Sequence, residues 1–365
     1  MKKVVLGALL SIAVMSGALA AEHVALPLYV GGRAVMALAD GQTRYTYAWP
    51  GVYFEAQFKG DAVDVKVDDD QNFLYLYVDG VHKLTLTRPQ KATVTLKDLG
   101  PGKHTVRLEK ISETQNSAGT FGGFYVASSD DVLPAPQYDR RIEFIGDSFT
   151  VGYGNTSRGS VCTTDDVRDT TDTSQGFPPR TAKHFGAAYR VIAFSGRGIV
   201  RNYSDIDHGV TLPVLYQYAL FDRQTPTPQD GWLPDVYVIG LGTNDFSTKL
   251  AQTEVWKTRE ALDADYIKTY IAFVQDLHAK NPQAHFILMA ASDSFDGEFL
   301  KNVTAVAEGI KAAGISGVEI VPYAGLDHMA CHGHPSLKDD VLLSDLLISR
   351  ISNLPKYAAQ TQPVK

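Results

Sequence analysis

The chain has 365 residues, 44% of them apolar and 21% charged, with 31 Gly, 17 Pro and only 2 Cys. That composition excludes a disordered chain and a disulfide-scaffold miniprotein, and the length predicts two domains, each large enough to bury a core. A formal charge of −7 without a basic stripe excludes nucleic acid and anionic membranes as partners.

Residues 1–20 carry Lys2-Lys3, an apolar run from Val4 to Val14 and Ala18-Leu19-Ala20. These are the basic, apolar and cleavage regions of a secretory signal peptide. Its removal takes the formal charge to −9. No cysteine follows the cleavage point to take a lipid, and no later segment reaches about 18 uninterrupted apolar residues. The expectation is a bacterial protein exported to the periplasm or medium, without a membrane anchor. In an oxidising compartment Cys162 and Cys331 can form one disulfide, two buried thiols being the alternative.

Residues 21–133 are expected to form an all-β sandwich. Short runs such as Val52–Ala56, Ala62–Val67, Phe73–Val78 and Ala92–Leu96 are rich in Val, Tyr, Phe and Thr. Several alternate, and Gly60-Asp61, Asp79-Gly80 and Gly100 punctuate them. Leu133-Pro134-Ala135-Pro136 reads as a linker into the second domain, residues 134–365. There the pattern becomes strand and helix in alternation. Continuous apolar runs at Ile142–Ile145, Val191–Phe194, Val236–Leu241, Phe286–Ala290 and Val318–Val321 are separated by helical stretches, the clearest from Arg259 to His278. Strands apolar on both faces and joined by helices predict a doubly wound, flavodoxin-like parallel sheet. Ligands of such sheets bind beyond the carboxyl ends of the strands.

Four polar clusters stand at those ends. The first run leads into Gly146-Asp147-Ser148, where Ser148 is either a nucleophile or a helix N-cap. The second leads into Ser195-Gly196-Arg197-Gly198, whose glycines let a backbone N–H approach a ligand. The third leads into Gly242-Thr243-Asn244-Asp245; Asn244 offers an amide donor, and Asp245 reads as a helix cap. The last is followed by three histidines, His328, His332 and His334. No partnering Cys/His pair occurs elsewhere, so neither a metal nor another cofactor is expected. Serine, glycine, asparagine and histidine together supply a nucleophile, a base and donors for developing negative charge.

These four blocks resemble the SGNH (GDSL-type) hydrolases, and no G-x-S-x-G elbow surrounds Ser148. The resemblance is closer still to carbohydrate esterase family 2, the two-domain acetyl esterases of plant polysaccharides. It is carried by Trp49–Ala56, Phe144–Ser148 with Gly154-Asn155, Ser195–Tyr203, Leu241–Ser247 and Cys331-x-x-His334-Pro335. It implies a jelly-roll sandwich in front of an SGNH domain. It also implies a serine esterase acting on acetylated polysaccharide or oligosaccharide through an acetyl-enzyme. Ser148 would be nucleophile and His334 base, with the Ser148 N–H, the Gly196 N–H (Gly198 being the second choice) and the Asn244 side chain around the oxyanion. Cys331 stands where many such enzymes carry Asp, so either a backbone carbonyl or Asp327 orients His334. His332-Gly333 replaces an Asp-Trp pair, removing an aromatic surface; Trp232 is one candidate substitute. A general carboxylesterase or lysophospholipase, a bacterial-glycan deacetylase and a non-catalytic carbohydrate-binding protein are the competing readings.

Overall fold

The computed structural model describes residues 23–358; the expected signal peptide lies outside the described residues. The front domain contains β1 (Val24–Ala25), β2 (Tyr29–Gly31), β3 (Ala34–Ala39), β4 (Gln42–Tyr47), β5 (Tyr53–Lys59) and β6 (Val63–Asp69). It continues with β7 (Phe73–Val78), β8 (Val81–Thr87), β9 (Gln90–Leu96), β10 (Lys103–Lys110) and β11 (Gly119–Val126). Two antiparallel sheets result, ordered β3-β4-β11-β6-β9, with β1 beside β11, and β2-β5-β10-β7-β8. Alternation decides which side faces in: Val63, Val65 and Val67 of β6 and Leu74, Leu76 and Val78 of β7 are buried. Between the sheets Phe54 stacks on Phe121 with ring centroids 4.4 Å apart.

The second domain is a parallel sheet of β12 (Arg141–Gly146), β13 (Ala188–Ala193), β14 (Val236–Gly240), β15 (His285–Ala291) and β16 (Val318–Tyr323). Its order is β13-β12-β14-β15-β16. This is the flavodoxin-like arrangement, with its switch point between β12 and β14. All six residues of β13 are buried, as a strand covered on both faces requires. The helices are α1 (Ser148–Val151), α2 (Thr164–Thr170), α3 (Phe177–His184), α4 (Leu212–Leu215), α5 (Thr243–Phe246), α6 (Arg259–Lys280), α7 (Glu298–Ala312) and α8 (Leu337–Ile351). Thr258 caps α6 by accepting from the Ala261 N–H, and the helix stops at Asn281, one residue before Pro282. Its buried stripe is Leu262, Tyr266, Tyr270, Val274 and Leu277.

The domains share a packed junction. Trp49 is fully buried; its indole Nε1 donates to the Tyr218 carbonyl at 3.2 Å, and its ring meets Phe221 edge-on. Tyr53 of β5 lies against Tyr189 of β13, centroids 4.8 Å apart. One end of the parallel sheet is level: Gly146 pairs with Ala193 on one side and Gly240 on the other. Ser148, Gly196 and Asn244 therefore leave the same edge of the sheet within a few residues of those glycine and alanine positions.

Candidate active site

Asp147 takes the N-cap of α1, its carboxylate accepting from the Phe149 N–H at 3.1 Å. The cap alternative for Ser148 is thereby corrected: Ser148 is the first helical residue, and its hydroxyl is left for another partner. That partner is His334, whose Nε2 stands 2.9 Å from Ser148 Oγ. The other ring nitrogen, Nδ1, is 2.8 Å from the Cys331 carbonyl. A carbonyl only accepts, so Nδ1 carries the proton and Nε2 presents its lone pair to the serine. Asp327 is turned elsewhere: its carboxylate accepts from the Met329 N–H at 3.0 Å and lies 3.9 Å from Lys338 Nζ.

The His334 ring is held between Phe149 and Tyr153, at centroid distances of 5.8 and 4.3 Å. Tyr153 thus offers an aromatic surface where the sequence lacks the tryptophan. Burial, with repulsion from His332 and His328, pushes the His334 imidazole down to about 4. The other two histidines face outward. His328 Nδ1 meets the Gly333 carbonyl at 3.0 Å, and His332 lies between the Cys162 carbonyl and the Tyr153 hydroxyl. Among the described residues no group of three or more His, Cys, Asp or Glu is arranged to hold a metal.

Cys162 and Cys331 are joined by a disulfide, their Cα atoms 5.4 Å apart. It fastens the histidine loop to the segment before α2. Gly154 lies against it with φ +60°, and a Cβ there would come within 2.5 Å of Cys331 Cβ. Asp339 secures the other end of the loop, accepting from the Asp327, His328 and Ser336 N–H groups.

Gly196 has φ +85°, a left-handed conformation that favours glycine. Among the described residues neither its N–H nor that of Ser148 has an acceptor. Asn244 lies beside them on α5. Its amide nitrogen donates to the Arg197 carbonyl at 2.9 Å and to Asp147 Oδ2 at 3.1 Å, so both hydrogens already have acceptors. Asn244 can receive a further acceptor only by sharing one of them. Asp245 is not the helix cap that its sequence position suggests, because Gly242 occupies the N-cap of α5. Its buried carboxylate instead accepts from the Ile199, Val200 and Arg201 N–H groups at 2.9–3.0 Å, tying the β13 turn to the β14 turn.

Ser148, Gly196, Asn244 and His334 line one open cleft of about 560 Å³. Arg168 and Val167 of α2 form one wall, and Tyr203 and Ile206 another. Glu113 and Gln115, from the loop between β10 and β11, complete the rim. Sequence patterning singled out Tyr203, at the end of the Ser195–Tyr203 block, but not Val167, Arg168, Ile206, Glu113 or Gln115, which carry no periodicity or motif of their own. Trp232 stands apart from the cleft, donating to the Tyr29 hydroxyl at 3.1 Å with Arg190 over its ring.

Residues 30–136 match the family model described as carbohydrate esterase 2 N-terminal, and residues 144–346 match the GDSL-like lipase/acylhydrolase family. An acetylxylan esterase / glucomannan deacetylase of Cellvibrio japonicus is 48% identical over 327 residues, 89% of this chain and 91% of that protein. A carbohydrate esterase structure, described as having an active site with divergent catalytic and non-catalytic binding functions, superposes with a TM-score of 0.87. It is 45% identical and covers 91% of this chain and 99% of its own. A family two carbohydrate esterase from Clostridium thermocellum, in complex with cellohexaose, gives 0.76 at 26% identity, covering 89% and 98%. Front-domain match, hydrolase-domain match and a relative alike almost from end to end agree, and the chain belongs to carbohydrate esterase family 2 as a carboxylic ester hydrolase.

Proposed function

We propose that this chain is an exported serine esterase that removes O-acetyl groups from plant polysaccharide, acetylated xylan or glucomannan, through an acetyl-enzyme on Ser148. The observation that carries this reading is the 2.9 Å contact between Ser148 Oγ and His334 Nε2, with the second ring nitrogen fixed by the Cys331 carbonyl. In the first half-reaction Nε2 takes the serine proton as Oγ bonds to the acetyl carbon, and the carbonyl oxygen becomes an oxyanion. The Ser148 and Gly196 N–H groups, with Asn244 sharing a hydrogen, stabilise it. Collapse breaks the bond to the sugar oxygen, which leaves with the proton from His334. Water then repeats the sequence and releases acetate, returning the proton to Ser148.

The substrate class is supported by the cleft and by kinship. Glu113, Gln115 and Arg168 at the rim suit sugar hydroxyls better than a long acyl chain. The 48%-identical relative is an acetylxylan esterase / glucomannan deacetylase. Export is supported by the signal-peptide pattern of residues 1–20 and by the Cys162–Cys331 disulfide. Among the described residues no helix is long and apolar enough to cross a membrane.

Acetate release should be measured from acetylated xylan, acetylated glucomannan and an O-acetylated bacterial glycan. Release from the plant polymers, abolished in a folded Ser148→Ala variant, is expected. Equal release by Ser148→Ala would refute the nucleophile, and preference for the bacterial glycan would refute the substrate.

A further inference from the structure

Gly196 is supplied by the hydrolase domain, but the peptide bearing its N–H is gripped from the other domain. Ser195 precedes it, and both backbone groups of Ser195 are held by side chains of the loop between β10 and β11. The Ser195 N–H donates to Glu113 Oε1 at 2.8 Å, and Gln115 Nε2 donates to the Ser195 carbonyl at 3.2 Å. Gln115 Nε2 also donates to Glu113 Oε1, the oxygen that accepts from Ser195, at 3.4 Å.

That loop is itself fixed to the sandwich core. The Thr114 hydroxyl donates to Asn72 Oδ1 at 2.8 Å, and Ser112 Oγ accepts from the Phe73 N–H at 2.9 Å. Asn72 donates through its backbone and side chain to Asp69, which accepts in turn from the buried Tyr47 hydroxyl at 2.7 Å. A continuous set of polar contacts therefore runs from inside the sandwich to the turn after β13.

The carbonyl of Ser195 and the N–H of Gly196 belong to one planar, trans peptide and point to opposite sides of it. A donor on that carbonyl fixes the plane and aims the N–H away from the loop. It also polarises the peptide, making the N–H a stronger donor. Within its own chain this peptide is the centre of a turn closed by the Arg197 N–H on the Phe194 carbonyl at 3.2 Å, a turn whose central peptide can face either way; with positive φ at Gly196 it takes the orientation that the donor on the Ser195 carbonyl holds.

We infer that the sandwich domain builds part of the oxyanion hole: Glu113 and Gln115 are positioning residues that orient the Ser195–Gly196 peptide toward the reacting carbonyl. This rests on the esterase reading above, with Gly196 as a donor. An interaction that matters only once the oxyanion forms is read in kcat and leaves KM alone.

The test is the steady-state hydrolysis of 4-nitrophenyl acetate by the full-length mature chain and by Gln115→Met, Glu113→Ala, Glu113→Gln and Ser148→Ala. Gln115 is exposed, so its isosteric replacement should fold with an unchanged Tm. Gln115→Met and Glu113→Ala are expected to lower kcat about tenfold or more, with KM within about twofold, because one oxyanion donor is worth about 10²–10³ in kcat when removed outright. Glu113→Gln keeps an oxygen for the Ser195 N–H and should recover most of the loss. Unchanged kcat in Gln115→Met and Glu113→Ala, with Ser148→Ala inactive, would overturn the inference and leave the esterase reading standing. Turnover by Ser148→Ala would instead overturn that reading, and the inference with it.

Discussion

In the proposed reaction His334 is the base, and its surroundings lower its ordinary proton affinity. Burial between Phe149 and Tyr153 and the nearby His332 and His328 hold its imidazole down at about 4, against about 6.5 for a free side chain. The proposed reaction uses the neutral form, so activity should persist as pH falls through 6 and 5 and disappear through about 4. A pH profile of kcat/KM reports this pKa in the free enzyme. An acid limb near 6.5 would show that His334 is solvated or is not the base. Asp327 should be dispensable by the same geometry: Asp327→Asn leaves the Cys331 carbonyl in place, and kcat should stay near its starting value, whereas loss comparable to His334→Ala would reveal a triad. Asn244 has two duties. Asn244→Ala should lower kcat by about 10²-fold or more if it shares a hydrogen with the oxyanion. It should also cost about 1–3 kcal/mol of stability, because the buried Arg197 carbonyl and Asp147 lose their donor. An effect confined to KM would remove it from the oxyanion hole.

At the scale of elements, the loop bearing His334 has few regular contacts and is restrained by cross-links. The disulfide ties Cys331 to Cys162, 169 positions earlier, and the Ser336/Asp339 capping box ties the far end to α8. Closing so long a loop stabilises the fold by about 2–5 kcal/mol in a chain-entropy account. The double variant Cys162→Ser/Cys331→Ser should therefore melt at a clearly lower temperature. Its kcat should fall without vanishing, since the carbonyl on His334 belongs to the backbone. Unchanged Tm together with two titratable thiols in the denatured, unreduced parent would refute the cross-link. The parallel strands were legible in the sequence because both of their faces are apolar, and helix α6 because its stripe is unbroken. β10 was not. Its Arg107 and Glu109 look like a solvated face, yet Glu109 is fully buried because that face meets Tyr189 of the second domain, and Lys110, on the opposite face, is buried with its Nζ donating to the Ala48 carbonyl at 2.6 Å. β11 was blurred by a register shift between Phe121 and Gly123, which breaks the alternation. The strand-end residues of the site could be read because each follows its strand directly. Glu113 and Gln115 could not, because they approach Ser195 from a loop some eighty positions earlier, and only the fold joins the two.

Over the whole molecule, the contact between domains is built like a core. Arg107 of β10 donates to Glu109 at 3.1 Å and to the Tyr189 hydroxyl at 2.5 Å, and its guanidinium lies 3.5 Å over the Tyr53 ring. Tyr189 donates to Glu109 in turn, and Lys183 of α3 stands 3.8 Å away. Burial opposes the charge on Glu109, but Arg107 and Lys183 outweigh it and keep the carboxyl below its usual range. Such a group depends on its partner. Removing one side of a buried ion pair strands the other, at about 3–5 kcal/mol. Because Tyr189 lies on β13, directly before the turn that carries Gly196, the loss should reach both domains at once. Arg107→Ala should therefore lower the urea midpoint of a single transition, followed equally by tyrosine fluorescence, far-UV circular dichroism and loss of esterase activity. Two separated transitions in the parent, with activity following only one, would mean that the sandwich and the hydrolase fold independently. In that case the contacts made by Glu113 and Gln115 could be released without unfolding the site they flank.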